Sequence, residues 1–201
     1  MTANRDPYNL IVCGVGGQGN ILISRMIGRI LADKGYYITI GETFGAAQRG
    51  GSVYSSLRIS KKRNYGPLVP QGRGHLILSL EPLETLRMLT SYGNEQVVTI
   101  SNTQAIQPVG VLAKRNDYPG LDELTSAIDE LSSRAWFVNV TQKAMELDSP
   151  IVANIILLGC LLGAEQLPIQ TSEVEREMQA SFPPDKLAVN LQALSMGREA
   201  I

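Results

Sequence analysis

The stretch Leu10-Ile11-Val12-Cys13-Gly14-Val15-Gly16-Gly17-Gln18-Gly19-Asn20 limits the fold more than any other part of the chain. The apolar run reads as a buried parallel strand, Tyr8 to Cys13. The glycines then turn the chain into Ile21 to Lys34, where apolar residues recur at helical spacing until Gly35 stops them. Strand, glycine turn and helix make a βα unit, the opening move of an α/β domain. Gly14, Gly16 and Gly19 also satisfy GxGxxG, a turn that aims backbone N–H groups at an anion bound on a helix N-terminus. The spacing has a bland reading, close packing of helix on strand, and a sharper one, a dinucleotide whose ribose would meet Glu42 near the end of a second strand. Neither reading demands Gly17 or Gln18.

The alternation continues. Tyr36 to Ile40 reads as a strand, as does Ser52 to Ser60, where Val53, Ser55, Leu57 and Ile59 alternate with Tyr54, Ser56 and Arg58 before a turn at Lys61 to Gly66. His75 to Leu80 is a buried strand, Pro82 opens a helix reaching Tyr92, and Gln96 to Ser101 and Arg134 to Val140 are further strands. Helices follow over Thr141 to Leu147, Ile151 to Leu162, Ser172 to Ser181 and Asp185 to Gly197, with Ser172 and Glu175 spaced as a capping box. The expected fold is α/β, a Rossmann-like three-layer domain with a mostly parallel sheet and a helical C-terminal part. A chain of 201 residues, 44% of them hydrophobic, suits a single domain over 1–201. Ile151 to Leu162 is apolar on every side, which predicts burial at a subunit interface, with homodimer formation by the isolated chain as the fallback.

A net charge of −1 gives no bulk electrostatic reason to bind nucleic acid or an anionic membrane surface. The apolar stretch Ile151 to Ala164 is too short to span a bilayer, and MTANRDPYNL does not read as a secretory leader, so the expected location is cytoplasmic. Cys13 and Cys160 are the only cysteines, which predicts neither a disulfide framework nor a metal or iron–sulfur site on this chain.

Three further places carry candidate chemistry. In GETFGAAQRGGSV, residues 41–53, Gly45, Gly50 and Gly51 surround Arg49, whose planar guanidinium suits a carboxylate or phosphate that small neighbours let approach. From Thr43 to Leu80 there is no acid, while Arg49, Arg58, Lys61, Lys62, Arg63 and Arg73 are basic; the simplest reading of the 61–63 run is a solvated hairpin tip. His75, the one histidine, opens a buried strand and has no acid or nucleophile beside it in sequence, so it reads as structural. Asn102, in SNTQAIQP, stands at a strand's C-terminal end, where open α/β sheets place ligands and where asparagine also makes turns.

Taken in order, GVGGQG, GETFGAAQRGGSV with SSLRIS, SLEPLETLR, SNTQAIQP, Tyr118-Pro119 and ANIILLG at 153–159 make this chain resemble the gamma-type subunit of the 2-oxoacid:ferredoxin oxidoreductases, on the side of the indolepyruvate oxidoreductase beta type. The likeness runs over nearly the whole chain. It implies a complex that oxidatively decarboxylates a 2-oxoacid to an acyl-CoA and passes electrons through iron–sulfur clusters to ferredoxin. Thiamine diphosphate and the clusters would lie on partner subunits, above all a catalytic alpha-type subunit, and coenzyme A would be a co-substrate. The resemblance further implies that Gly14, Gly16, Gly17, Gln18 and Gly19, together with Gln48, Arg49, Gly50, Gly51 and Ser52, border the substrate or coenzyme A channel, with Asn102 beside them. Where indolepyruvate-type subunits tend to have His-Gly-Met before AQRGG, this chain has Phe44-Gly45-Ala46, a difference that bears on aryl-pyruvate specificity. Two other classes stand beside this expectation: a free-standing NAD(P)-dependent oxidoreductase using Glu42, and a purely architectural subunit.

Overall fold

The computed structural model describes residues 5–42, 51–106 and 118–201. Six strands form one sheet: β1 (Tyr8–Val15), β2 (Tyr37–Glu42), β3 (Ser52–Ser60), β4 (Leu76–Ser79), β5 (Val98–Asn102) and β6 (Arg134–Val138), in the order β2-β3-β1-β4-β5-β6. β1, β4, β5 and β6 pair in parallel, and β3 is antiparallel to both β1 and β2, so β3 alone runs against the rest. The mostly parallel sheet expected from the sequence is present, with a reversed strand inserted beside the central one.

All eight residues of β1 are buried, because both faces of the sheet are covered. The pleat sends Leu10 and Val12 into one core with Leu57, Leu76, Leu78 and Ile100, and sends Ile11 and Cys13 into the other with Ile77, Met88, Leu89 and Ile128. The first face is covered by helices α1 (Asn20–Asp33) and α5 (Ala153–Gly163), the second by α2 (Pro82–Tyr92) and α3 (Leu121–Glu130). These are the three expected layers. Helix α3 has no counterpart in the sequence expectation; it buries only Leu124 and Ile128, four residues apart, so its apolar stripe is narrow.

The C-terminal part is helical as expected: α4 (Val140–Glu146), a short 3₁₀ turn (Pro150–Val152), α5, α6 (Thr171–Ser181) and α7 (Pro184–Arg198). One expectation is corrected here. The capping box is formed by Gln170 and Glu173, because the helix begins at Thr171 with extended Gln170 as its cap; Glu173 accepts from the Gln170 N–H at 2.7 Å and from Lys34 Nζ at 2.7 Å, tying α6 to the end of α1. In the apolar helix α5, Asn154 to Leu161 are buried within the chain against the sheet and α7. A Cβ on Gly159 would lie 2.2 Å from the Leu194 carbonyl oxygen and one on Gly197 1.9 Å from that of Ile156, so α5 and α7 touch backbone to backbone. Ile151, just before α5, is the exception at 81% exposed.

Candidate functional site

Because five strands share one direction, their C-terminal ends gather at one edge of the sheet, and the start of the reversed β3 joins them. The glycine turn leaves β1 there. Gly17 and Gly19 adopt positive φ (99° and 85°), a conformation that only glycine holds without strain, and Gly19 is the N-cap of α1. Gln18 folds back over the turn: its Oε1 accepts from the Val15 N–H at 2.6 Å and its Nε2 donates to the Leu80 carbonyl at 3.0 Å. Gly14 leaves room for that carboxamide, since a Cβ there would stand 2.5 Å from Gln18 Oε1. Gly16 N–H donates to the Gly51 carbonyl at 2.9 Å, which brings the end of the 41–53 motif against the turn. Gln48, Arg49 and Gly50 lie outside the described residues.

Asn102, at the end of β5, is fully buried and spans three elements. Its Nδ2 donates to the Leu80 carbonyl (3.0 Å) and to Thr141 Oγ1 (2.9 Å), and its Oδ1 accepts from the Val140 N–H (3.1 Å). Leu80 O therefore receives both Gln18 and Asn102, and the structure joins two of the expected site residues through one carbonyl. The geometry makes Asn102 a strut of this edge.

Two buried carboxylates at the start of α2 hold the same edge. Glu84, 2% exposed in its side chain, accepts from Ser52 Oγ at 2.5 Å and from Arg87 at 2.7 Å. Glu81 caps α2 by accepting from the Glu84 N–H at 2.8 Å, and its other oxygen accepts from the Tyr118 hydroxyl and from the Ile106 N–H at 3.4 Å. Burial raises the Glu81 carboxyl above its ordinary range, against the lowering effect of those donors, and burial followed by the neighbouring Glu81 raises the Tyr118 phenol. The sequence reading missed both acids as site elements. The available signal was Pro82 at N1, which makes Glu81 a helix cap, and the i, i+3 spacing of the two glutamates.

Beside the turn lies a cavity of about 500 Å³ between α1, α5 and α7. Asn154 lines it; the residue is 95% buried by its 5% exposure, and its carboxamide has no hydrogen-bond partner among the described residues. Its Nδ2 stands 2.2 Å from where a Cβ on Gly19 would be. No side chain hydrogen-bonds to cap α1 and no acid occupies its first turn; the cavity wall also carries Asp185 and Lys186 from the start of α7, paired at 3.8 Å. Asn20 Oδ1 is a buried acceptor with no partner among the described residues.

A dinucleotide reading does not fit this geometry. β3 separates β1 from β2, which puts Glu42 two strand spacings, about 10 Å, from the glycine turn's strand. Arg25 holds the Glu42 carboxylate through both oxygens at 3.2 Å. Gln18 occupies the space above Gly14. Among the described residues no three His, Cys, Asp or Glu side chains gather, and burial pushes the Cys160 thiol up to about 12 and also raises the Cys13 thiol.

An α/β sheet whose parallel strand ends carry a self-locked GxGGQG turn defines the class, and comparison with known proteins places it. Residues 9–200 match the family model described as pyruvate ferredoxin/flavodoxin oxidoreductase. The chain is 34% identical to the indolepyruvate oxidoreductase subunit IorB of Methanothermobacter thermautotrophicus over 94% of this chain and 95% of that one. It is 35% identical to the Archaeoglobus fulgidus subunit of the same name over 94% and 92%. Its fold superposes with a TM-score of 0.75 and 19% identity on a 2-oxoglutarate:ferredoxin oxidoreductase from Magnetococcus marinus, covering 98% of this chain and 32% of that one. The chain belongs to the pyruvate ferredoxin/flavodoxin oxidoreductase family, among the subunits of 2-oxoacid:ferredoxin oxidoreductases. No helix among the described residues is long and apolar enough to cross a membrane.

Proposed function

We propose that this chain is a single-domain subunit that carries no cofactor of its own and works by positioning in a 2-oxoacid:ferredoxin oxidoreductase. The sheet edge built by the glycine turn, Gly51, Ser52 and Asn102 borders the channel for substrate or coenzyme A and faces a catalytic subunit. Thiamine diphosphate on that subunit supplies the carbanion chemistry, and iron–sulfur clusters on partner chains pass the electrons to ferredoxin. The observation that carries this reading is the cavity beside the glycine turn, where an uncapped helix end and the unpartnered Asn154 carboxamide offer donors to an anion. The Magnetococcus marinus protein is described with 2-oxoglutarate, coenzyme A and succinyl-CoA bound, ligands that all carry carboxylate or phosphate groups. The likeness to the IorB subunits favours an aryl-pyruvate such as indolepyruvate as the 2-oxoacid. The isolated chain is inactive on this reading, and a soluble cytoplasmic complex is its setting.

Arg49, two residues before Gly51, is the side chain proposed to hold the anion through two charge-assisted hydrogen bonds, a geometry lysine does not reproduce. The test is Arg49→Lys and Arg49→Ala in the reconstituted complex, with assembly and thermal stability measured beside kinetics for the 2-oxoacid and for coenzyme A. The expected loss is roughly tenfold to a hundredfold in kcat/KM with assembly intact. Normal kinetics in both variants removes Arg49 from the channel. Lost assembly with normal specific activity in the residual complex replaces positioning by an architectural role.

A further inference from the structure

The acid-free stretch from Thr43 to Leu80 is not used up by the site above. The fold carries Arg58, Arg73 and His75 from that stretch to the opposite edge of the sheet, where the parallel strands begin and β3 ends, and Arg5 joins them from the segment before β1. The eight residues of β1 separate the two edges by about 25 Å. A cavity of about 680 Å³ opens there, with Arg5, Arg58, Arg73 and His75 in its wall.

The donors of this wall are incompletely used. Arg58 is committed to Asn9 Oδ1 and to the carbonyls of Gly66 and Leu68, and Arg5 donates to Gln96 Oε1 at 2.6 Å. The Arg73 guanidinium has no partner among the described residues; only its backbone carbonyl is engaged, by Asn9 Nδ2 at 2.7 Å. His75 Nδ1 accepts from the Asn9 N–H at 2.9 Å, which fixes the neutral ring's proton on Nε2, and that N–H has no acceptor among the described residues. The ring is held flat against Tyr8, centroids 5.1 Å apart. Of the acids in the wall, Asp6 is turned onto Ser60 Oγ and the Lys61 N–H, and Glu95 is exposed.

We infer that this cavity binds a phosphate-bearing small anion, held by the Arg5 and Arg73 guanidinium groups and by His75 Nε2–H. The planar forks of two arginines suit phosphate oxygens, and a ring N–H fixed by a backbone donor adds a third directed contact. The charged and titratable groups around the imidazole are Arg5 and Asp6 before β1, Tyr8 on it, Arg58 on β3, Arg73 before β4 and Glu95 before β5. Burial, then Arg5 and Arg73, lower the His75 pKa to about 4, so both arginines act on the ring with no neutralising anion between. An anion seated among them relieves that repulsion.

His75 is the chain's single histidine, so its ring resonances report the site without competition. The experiment follows them by NMR in the full chain with inorganic phosphate and with ATP as probes, at ionic strength matched by sodium chloride. At pH 6.5 each effective probe should shift the Nε2 resonance saturably, and across a pH titration it should raise the His75 pKa by about one unit. The Arg5→Gln/Arg73→Gln variant should lose both responses, while Lys62→Gln, at the hairpin tip, should keep them. A response to phosphate assigns recognition to the phosphate group itself, and a response to ATP alone assigns it to a nucleotide's phosphates. Silence of the wild-type ring toward both probes overturns the inference, as does an undiminished response in the double arginine variant.

Discussion

If Gly14 is small for the sake of Gln18 rather than of a dinucleotide, then Gly14→Ala and Gln18→Ala must be strongly coupled in stability. A methyl group at Gly14 would stand 2.5 Å from Gln18 Oε1, against 3.1 Å from Leu80 Cβ and 3.2 Å from Asn20 Nδ2. The tightest conflict is thus with the carboxamide, whose displacement breaks the bonds to Val15 N–H and Leu80 O. Losing two such bonds, one leaving a buried N–H without a partner, costs about 2–4 kcal/mol. Gln18→Ala removes the same two bonds and costs about as much. In the double variant the methyl meets only the two looser contacts, so its added cost should be under about 1 kcal/mol, which makes the coupling about 2 kcal/mol. Urea denaturation of the four proteins measures this, read from midpoints at constant m. Additive losses, with coupling under about 0.5 kcal/mol, refute the argument, because Gly14 would then be constrained by something other than Gln18.

Gly197→Ala should destabilise the chain by about 1–3 kcal/mol in urea denaturation, although alanine is the better helix former by about 1 kcal/mol, because the new methyl meets the Ile156 backbone and the helices must part. Tyr118→Phe removes a donor from the buried Glu81 carboxylate and should cost about 1.5–3 kcal/mol at neutral pH but much less near pH 4. The raised Glu81 pKa means that its contribution is fully present below about 4.5 and declines as pH rises through the folded value, a decline the variant should steepen; equal losses at both pH values would contradict this. His75 is held neutral by its lowered pKa, so its stability contribution is present above 6.5 and lost as pH falls toward about 4; His75→Asn, which keeps an acceptor for the Asn9 N–H, should flatten that slope in acid denaturation.

The fold was legible wherever the signal was local. The apolar run of β1, the glycine that ends α1 after Asp33 and the proline at the first position of α2 each act within a few residues of the element they define. Helix α3 escaped because only Leu124 and Ile128 of its ten residues are buried, so hydrophobic periodicity had almost nothing to register. The capping box was displaced by two residues because Gln170, a less usual cap, is held by Glu173, whose second bond reaches Lys34 on a different element. The all-round apolar helix α5 lies against α7, which comes close because Gly159 and Gly197 face backbone; a glycine's reason for being small is visible only once its neighbour is placed.

The candidate site divides along the same line. The turn from Gly14 to Gly19 was legible as a βα junction, and Asn102 as a strand end, because strand ends and helix starts are local features. Glu42 illustrates the limit: at the right separation from the glycines for a ribose acid, it is misplaced because β3 folds back between β2 and β1, and strand order is set by long-range pairing. The same pairing brings Ser52 to Glu84 across 32 residues and Tyr118 to Glu81 across 37, contacts without a spacing rule in the sequence. Those two carboxylates hold Ser52, Ile106 and Tyr118, residues beyond any glycine-turn motif, to the start of one helix. The edge therefore owes its shape as much to α2 as to the glycines. A substitution at Glu81 or Glu84 should disturb the candidate edge without removing any of the glycine-turn residues, which separates residues that shape this edge from residues proposed to contact a ligand there.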